Sequence, residues 1–157
     1  MTVENSWNGV TLEHDGDVAI IVVRDRVRLH DTDSSGRIFY GVAADWFNTA
    51  TAEFMIALGF EPSGLVPRPM LPVVEASMSY HRPMKIGDRY ATRGWIAETG
   101  RTSLTMAFEV RVDDVPSVTG LVTHVHLRDD GTPAPVPARL RAVARPSAAT
   151  PPSATSG

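Results

Sequence analysis

One stretch constrains this chain more than any other. Between Val42 and Leu58 the apolar residues Val42, Trp46, Phe47, Ala50, Phe54, Ala57 and Leu58 recur at helical spacing, the only long helix the sequence offers. Gly59 follows, the residue that closes a helix in the left-handed conformation without a Cβ clash. Asp45, Asn48, Thr49 and Glu53 interrupt the run without giving it a broad polar face, so the pattern predicts one helix wrapped by other elements. The wrapping must be sheet, because from Leu71 onward the chain reads as strands. Residues 73–80, 90–97, 103–112 and 117–127 are strand-like, separated by turns at 83–88, 98–100 and Asp113-Asp114, the spacing of an antiparallel meander.

The rest of the chain divides accordingly. Residues 1–17 are polar and turn-rich, with a short strand over 10–13 and a hairpin turn at His14-Asp15-Gly16-Asp17. Over 18–29 β-branched residues are dense, and Val23, Asp25, Val27 and Leu29 alternate with Arg24, Arg26 and Arg28 as in a half-buried strand. A proline- and glycine-rich connection over 61–72 returns the chain to the sheet. Beyond Asp129-Asp130-Gly131 proline and alanine dominate, and 144–157 reads as a disordered tail. A single α+β domain over 1–143 is expected, with 1–17 an N-terminal extension or hairpin; 157 residues suffice for one sizeable core. A single sheet around one helix leaves its far face uncovered, which points to self-association.

Composition narrows the function. A net charge of -3 and a pI near 5.9 lack the basic footprint of a nucleic-acid or anionic-membrane binder. The absence of cysteine removes disulfides, thiolate nucleophiles and thiolate metal sites. No apolar run is long enough to span a bilayer, and residues 1–17 lack a basic segment followed by an apolar one. The expectation is a cytoplasmic protein with no membrane or nucleic-acid partner.

Chemistry is expected where a loop feeds the helix. His30-Asp31-Thr32-Asp33-Ser34-Ser35-Gly36-Arg37-Ile38-Phe39-Tyr40-Gly41 is turn-rich, carries two carboxylates and opens onto a helix N-terminus. Free N–H groups and a partial positive charge there favour a developing oxyanion. Taken alone, Asp31 and Asp33 read first as turn formers, since aspartate bonds the backbone that follows it. The loop also imitates a calcium site, yet the position of the bidentate acid is Val42 and the preceding segment reads as strand. His124 and His126 lie two apart on one strand and share a face. No third ligand stands at a metal spacing, and groove-lining or surface histidines are the plainer reading. Neither metal nor cofactor is expected.

Several segments then occur in order between residues 23 and 139. They are Asp31-x-Asp33-x-x-Gly36-x-Ile38-x-Tyr40, the helix ending at Leu58-Gly59, and Leu71-Pro72-Val73-Val74-Glu75-Ala76 followed by Tyr80. Arg82-Pro83, Gly87-Asp88 and Gly100-Arg101-Thr102-Ser103-Leu104 complete the set. Together they resemble a hotdog-fold acyl-CoA thioesterase of the 4-hydroxybenzoyl-CoA thioesterase type. The resemblance implies a curved antiparallel sheet wrapped around one long central helix. It also implies hydrolysis of an acyl-CoA or acyl-carrier-protein thioester to free acid and thiol.

Carried over residue by residue, the resemblance makes Asp33 the catalytic carboxylate, as nucleophile or general base. The backbone N–H of Tyr40 becomes the donor to the thioester oxygen. That is chemically sufficient, because a thiolate leaves readily. Arg101, Thr102 and Ser103 would meet the CoA or phosphopantetheine arm, across a subunit interface of a homodimer or homotetramer. Arg82 and Lys85 are further phosphate candidates, Gly41, Ala43 and Phe47 would bind the substrate, and Asp31 is structural. The chain departs from the family at Val42-Ala43, where Asn-Tyr is usual, and at Asn48, where an acid is usual. The small Ala43 suggests room for a bulky fatty or polyketide acyl group. Asp45 and Glu53 are rivals to Asp33, because other hotdog branches carry the acid on the helix. A non-catalytic acyl-CoA-binding or regulatory hotdog module is the alternative function. A dehydratase would need a catalytic histidine near the helix, and none lies between Asp31 and Gly59.

Overall fold

The structure is a computed structural model and describes residues 9–60 and 69–146. Parts of the expected N-terminal extension (1–8), of the 61–72 connection (61–68) and of the tail (147–157) lie outside the described residues. Six antiparallel strands form one sheet: β1 (Gly9–Asp15), β2 (Val18–Arg26), β3 (Val73–Tyr80), β4 (Arg89–Thr99), β5 (Ser103–Val112) and β6 (Val115–Val125). Their order across the sheet is β1-β2-β4-β5-β6-β3. One long helix, α1 (Val42–Ala57), packs on the inner face, and a short α2 (Ala138–Ala142) follows the last strand. This is the curved sheet on one central helix that the resemblance implies. Among the described residues no helix is long and apolar enough to cross a membrane.

Local chemistry explains the joints. Asp113 and Asp114 both have positive φ (51° and 61°) and link Val112 to its partner Val115. That is the two-residue turn whose twist matches antiparallel strands, built here from aspartates, which tolerate the left-handed region better than most residues. Helix α1 ends as expected at Gly59, whose φ is 85°. The Gly59 N–H donates to Ile56 O and the Phe60 N–H to Met55 O, the paired bonds that satisfy a helix's last carbonyls.

A row of residues across three strands brings the helix close to the sheet. Gly94, Phe108 and Gly120 are in register on β4, β5 and β6. The Phe108 ring stacks on Phe47 of α1 with centroids 4.6 Å apart. A Cβ on Gly94 would come 2.7 Å from the Phe108 ring, and one on Gly120 2.4 Å from the Phe47 ring. These two glycines serve space. Trp46 stacks on Tyr90 at 4.2 Å, so two adjacent helix residues each meet a ring from a different strand, and α1 cannot rotate about its axis.

Two expectations need correction. Helix α1 is buried along one face only, through Val42, Ala43, Trp46, Phe47, Ala50, Phe54 and Met55. Ala44, Asp45, Asn48, Thr49, Ala52, Ile56 and Ala57 are exposed, because a single sheet reaches only one side of the cylinder. At the C-terminal end, residues 144–146 do not begin a tail: Ala144 is buried and the Arg145 N–H donates to Ile96 O. Helix α2, anchored by the fully buried Leu140, turns this segment back onto the sheet.

Candidate active site

The loop before α1 is a small hairpin. Thr32 bridges Ile38, the Asp33 N–H donates to Arg37 O (2.9 Å), and the Gly36 N–H returns to Asp33 O (3.0 Å). The turn needs Gly36, which sits at φ 76°. Its outer side is tied to the next segment by Ile38 N–H to Met84 O and by the Arg37–Lys85 bridge. Asp31 is 5% exposed and caps the short 3-10 turn Leu29–Asp31, its Oδ2 accepting the Arg28 N–H at 2.9 Å. Asp31 thus holds the backbone of that turn.

Asp33 differs in every respect. Its carboxylate is exposed, and Oδ1 accepts both the Ser35 N–H (2.8 Å) and the Ser35 hydroxyl (2.5 Å). The hydroxyl bond first, then the backbone bond, holds the carboxyl below its ordinary pKa, with nearby Arg37 adding to the effect. Both bonds fall on one oxygen, which leaves Oδ2 for other work.

The chain enters α1 through Phe39, Tyr40 and Gly41. Among the described residues no carbonyl receives the N–H of Tyr40 or Gly41, so two amides stand open at the helix N-terminus. The Tyr40 ring is 82% exposed, while its carbonyl accepts the Tyr80 hydroxyl from the end of β3. A Cβ on Gly41 would come 2.8 Å from the Phe39 ring, so a side chain there requires that exposed ring to shift.

Between α1 and the β3–β6 edge lies a groove that holds a cavity of about 120 Å³ lined by Ala44, Phe47, Asn48, Thr51, Val73, Ala76, Met78, Val122 and His124. The lining is mostly apolar. His124 is 5% exposed, its Nδ1 lies 2.8 Å from Leu71 O, and burial pushes its pKa below the ordinary value. This histidine is thus groove-lining, one of the two placements expected. His126 points elsewhere, with Nδ1 2.8 Å from Pro135 O.

The other residues singled out from sequence fall in different places. Phe47 lines the cavity, but Ala43 is fully buried in the core and does not. The position that opens the cavity is Ala44, on the face of α1 turned toward β3. Asp45 lies on the opposite side of the helix, in a polar crevice of about 140 Å³ with Asp25, Arg28, His30, Asp31 and Tyr90. Glu53 lines neither space. Arg82 is exposed just past Tyr80, at the loop's end of the sheet. Arg101, Thr102 and Ser103 sit at the other end, because Ser103 pairs with Val125 whereas Tyr80 pairs with Val118. One chain does not bring them to Asp33.

Comparison with known proteins bears on the fold and the family. The thioesterase superfamily matches residues 35–119, more than half of the chain, beginning two residues beyond Asp33. A protein of Synechocystis sp. (strain ATCC 27184 / PCC 6803 / Kazusa) that carries an esterase name, sll0410, is 29% identical over 103 residues. The match covers 64% of this chain and 62% of that curated relative, so less than two thirds of the relative's length is spanned. Among solved structures, BH1999 gentisyl-coenzyme A thioesterase is similar with a TM-score of 0.70 at 26% identity, over 76% of this chain and 98% of that one. Slr0204, a 1,4-dihydroxy-2-naphthoyl-CoA thioesterase from Synechocystis, gives a TM-score of 0.70 at 18% identity, over 79% and 95%, a likeness of fold alone.

Proposed function

The chain belongs to the thioesterase superfamily and has its hotdog fold, and on that premise we propose that it hydrolyses an acyl-CoA thioester with Asp33 as the catalytic carboxylate. One observation carries the assignment: an exposed, ionised carboxylate on a rigid hairpin that leads into a helix N-terminus with two open amides. The Tyr40 N–H receives the thioester oxygen, and charge developing there is stabilised by the helix end. The bonds from Ser35 keep Asp33 ionised at neutral pH. As nucleophile, Oδ2 attacks the carbonyl and expels the thiolate, leaving a mixed anhydride that water hydrolyses; as general base, it takes a proton from the attacking water. Either route ends in free acid and thiol.

The acyl group lies along the groove between α1 and β3, with its inner end in the cavity. Arg82 and Lys85 lie beyond Tyr80, where the phosphates of CoA, or of a carrier protein's phosphopantetheine, would pass. A bulky acyl group no longer follows from Ala43, which packs in the core; what room there is comes from Ala44. The 4-hydroxybenzoyl-CoA type is the branch that the loop motif resembles. Two copies are required, because Arg101, Thr102 and Ser103 meet the thiol arm only if a second chain supplies them.

The test is thiol release from a panel of acyl-CoA esters. Asp33→Asn keeps the size and removes the charge, and turnover should fall about a hundredfold or more in a folded protein. Unchanged turnover, with the loss appearing instead in Glu53→Gln or Asp45→Asn, would move the carboxylate onto the helix. Tight binding of acyl-CoA esters with no turnover would make the protein a binding module.

A further inference from the structure

We infer that His124 is a specificity-determining residue: its Nε2 accepts a hydrogen bond from a hydroxyl or N–H on the distal part of the acyl group, given the cavity as the acyl pocket. The tautomer is fixed by its neighbour. A carbonyl oxygen only accepts, so Nδ1, 2.8 Å from Leu71 O, carries the ring proton and Nε2 presents a lone pair. That atom is buried and has no hydrogen-bond partner among the described residues. It faces Val73, Ala76, Met78 and Val122, and the one nearby hydroxyl, Thr51, already donates to Phe47 O at 2.9 Å.

A buried polar atom without a partner calls for an explanation, because native proteins satisfy nearly all of theirs. Packing does not supply one, since leucine would fill the same wall with no polar atom to desolvate. The other polar side chains of the lining are Asn48, which is exposed, and Thr51, whose proton goes to Phe47 O. An occupant that brings its own donor satisfies Nε2. Burial keeps the imidazole neutral, so the acceptor persists at neutral pH.

Reach defines the acyl group. His124 pairs with Val73, at the end of β3 away from Tyr80, and its cavity extends along α1 as far as Asn48 and Thr51. From Gly41 to Asn48 the helix rises about 10 Å, so the donor that His124 meets stands about 10 Å or more from a carbonyl held at Tyr40. A hydroxyl on a single benzoyl ring falls short. A distally hydroxylated acyl chain or a hydroxylated fused ring spans the distance.

The experiment compares octanoyl-CoA with 8-hydroxyoctanoyl-CoA, and benzoyl-CoA with 4-hydroxybenzoyl-CoA, by thiol release. The wild type should favour the hydroxyoctanoyl ester about tenfold in kcat/KM and separate the benzoyl pair by no more than about threefold. His124→Leu should lose the preference between the two octanoyl esters, while His124→Gln, which retains an acceptor, should recover part of it. If His124→Leu fails to fold, the glutamine variant and an NMR titration still decide the matter. The ¹⁵N resonance of His124 Nε2 should move on addition of 8-hydroxyoctanoate and stay with octanoate. Equal turnover of both octanoyl esters with an unmoved Nε2 resonance overturns the inference and leaves hydrolysis standing. An Nε2 response to the hydroxy acid with no hydrolysis of any ester sinks the thioesterase reading and leaves His124 as a ligand-reading residue. Binding of neither acid also overturns the inference.

Discussion

The charge of Asp33 is set by the residue two positions on. Ser35 donates its hydroxyl and its N–H to the same carboxylate oxygen, and both bonds favour the ionised form. A carboxyl held below its ordinary 3.8 loses its charge only as pH falls through that lowered value. The acid limb of kcat/KM should therefore lie below pH 3.8, and Ser35→Ala should move it up toward 3.8. A pH–rate profile on both proteins checks this, and a limb unmoved by Ser35→Ala would mean that another group reports it. At this scale the sequence was informative where bonding is local. Asp33-x-Ser35 was legible as a turn former, and the turn uses only one carboxylate oxygen. It was less informative where bonding is distant: nothing in the spacing of α1 says that β3 lies beside Ala44 and leaves Ala43 inside. His124 is an intermediate case, since Val118, Val122 and His124 alternate onto the inner face, a signal the pairing with His126 obscured.

At the scale of elements, α1 was legible from its periodicity and its closing glycine, and the strands from the turns that punctuate them. The short α2 was not, because a five-residue helix in proline-rich chain has no periodicity to show and forms by tertiary packing of Leu140. Gly94 and Gly120, within the strands, make the space in which Phe47 and Phe108 stack. Gly120→Ala should push the Phe47 ring and cost about 1–3 kcal/mol, seen as a lower midpoint in urea. The same reasoning separates two neighbouring alanines. Ala43→Tyr overpacks a fully buried site and should chiefly lower stability, by about 3 kcal/mol or more. Ala44→Phe should leave stability within about 0.5 kcal/mol and fill the cavity, cutting kcat/KM on long acyl esters while sparing short ones. If Ala43→Tyr instead folds normally and shifts chain-length preference, the cavity is one helix position away from where Ala44 opens it.

For the whole molecule the decisive fact is that the groups singled out for acyl transfer and for thiol binding sit at opposite ends of β3. Asp33 and Tyr40 lie near Tyr80, and Arg101 lies beyond the Val73 end. Strand β3 is the last in its sheet and presents Val73, Val74 and Tyr80 at 53%, 60% and 45% exposure. A two-fold axis through such an edge pairs β3 antiparallel with its copy, which sets the Tyr80 end of one chain beside the Val73 end of the other. Each site would then join Asp33 to Arg101 of the partner subunit. Light scattering at micromolar concentration should give a dimer or a multiple of one. The stronger check is complementation between two defective variants. Asp33→Asn and Arg101→Ala should each be nearly inactive as homodimers, the first in kcat and the second in KM. After subunit exchange about half of the dimers are mixed, and in each of these one of the two sites has both residues intact, so about a quarter of wild-type activity should return. Verified exchange with no recovery would place the whole site within a single chain.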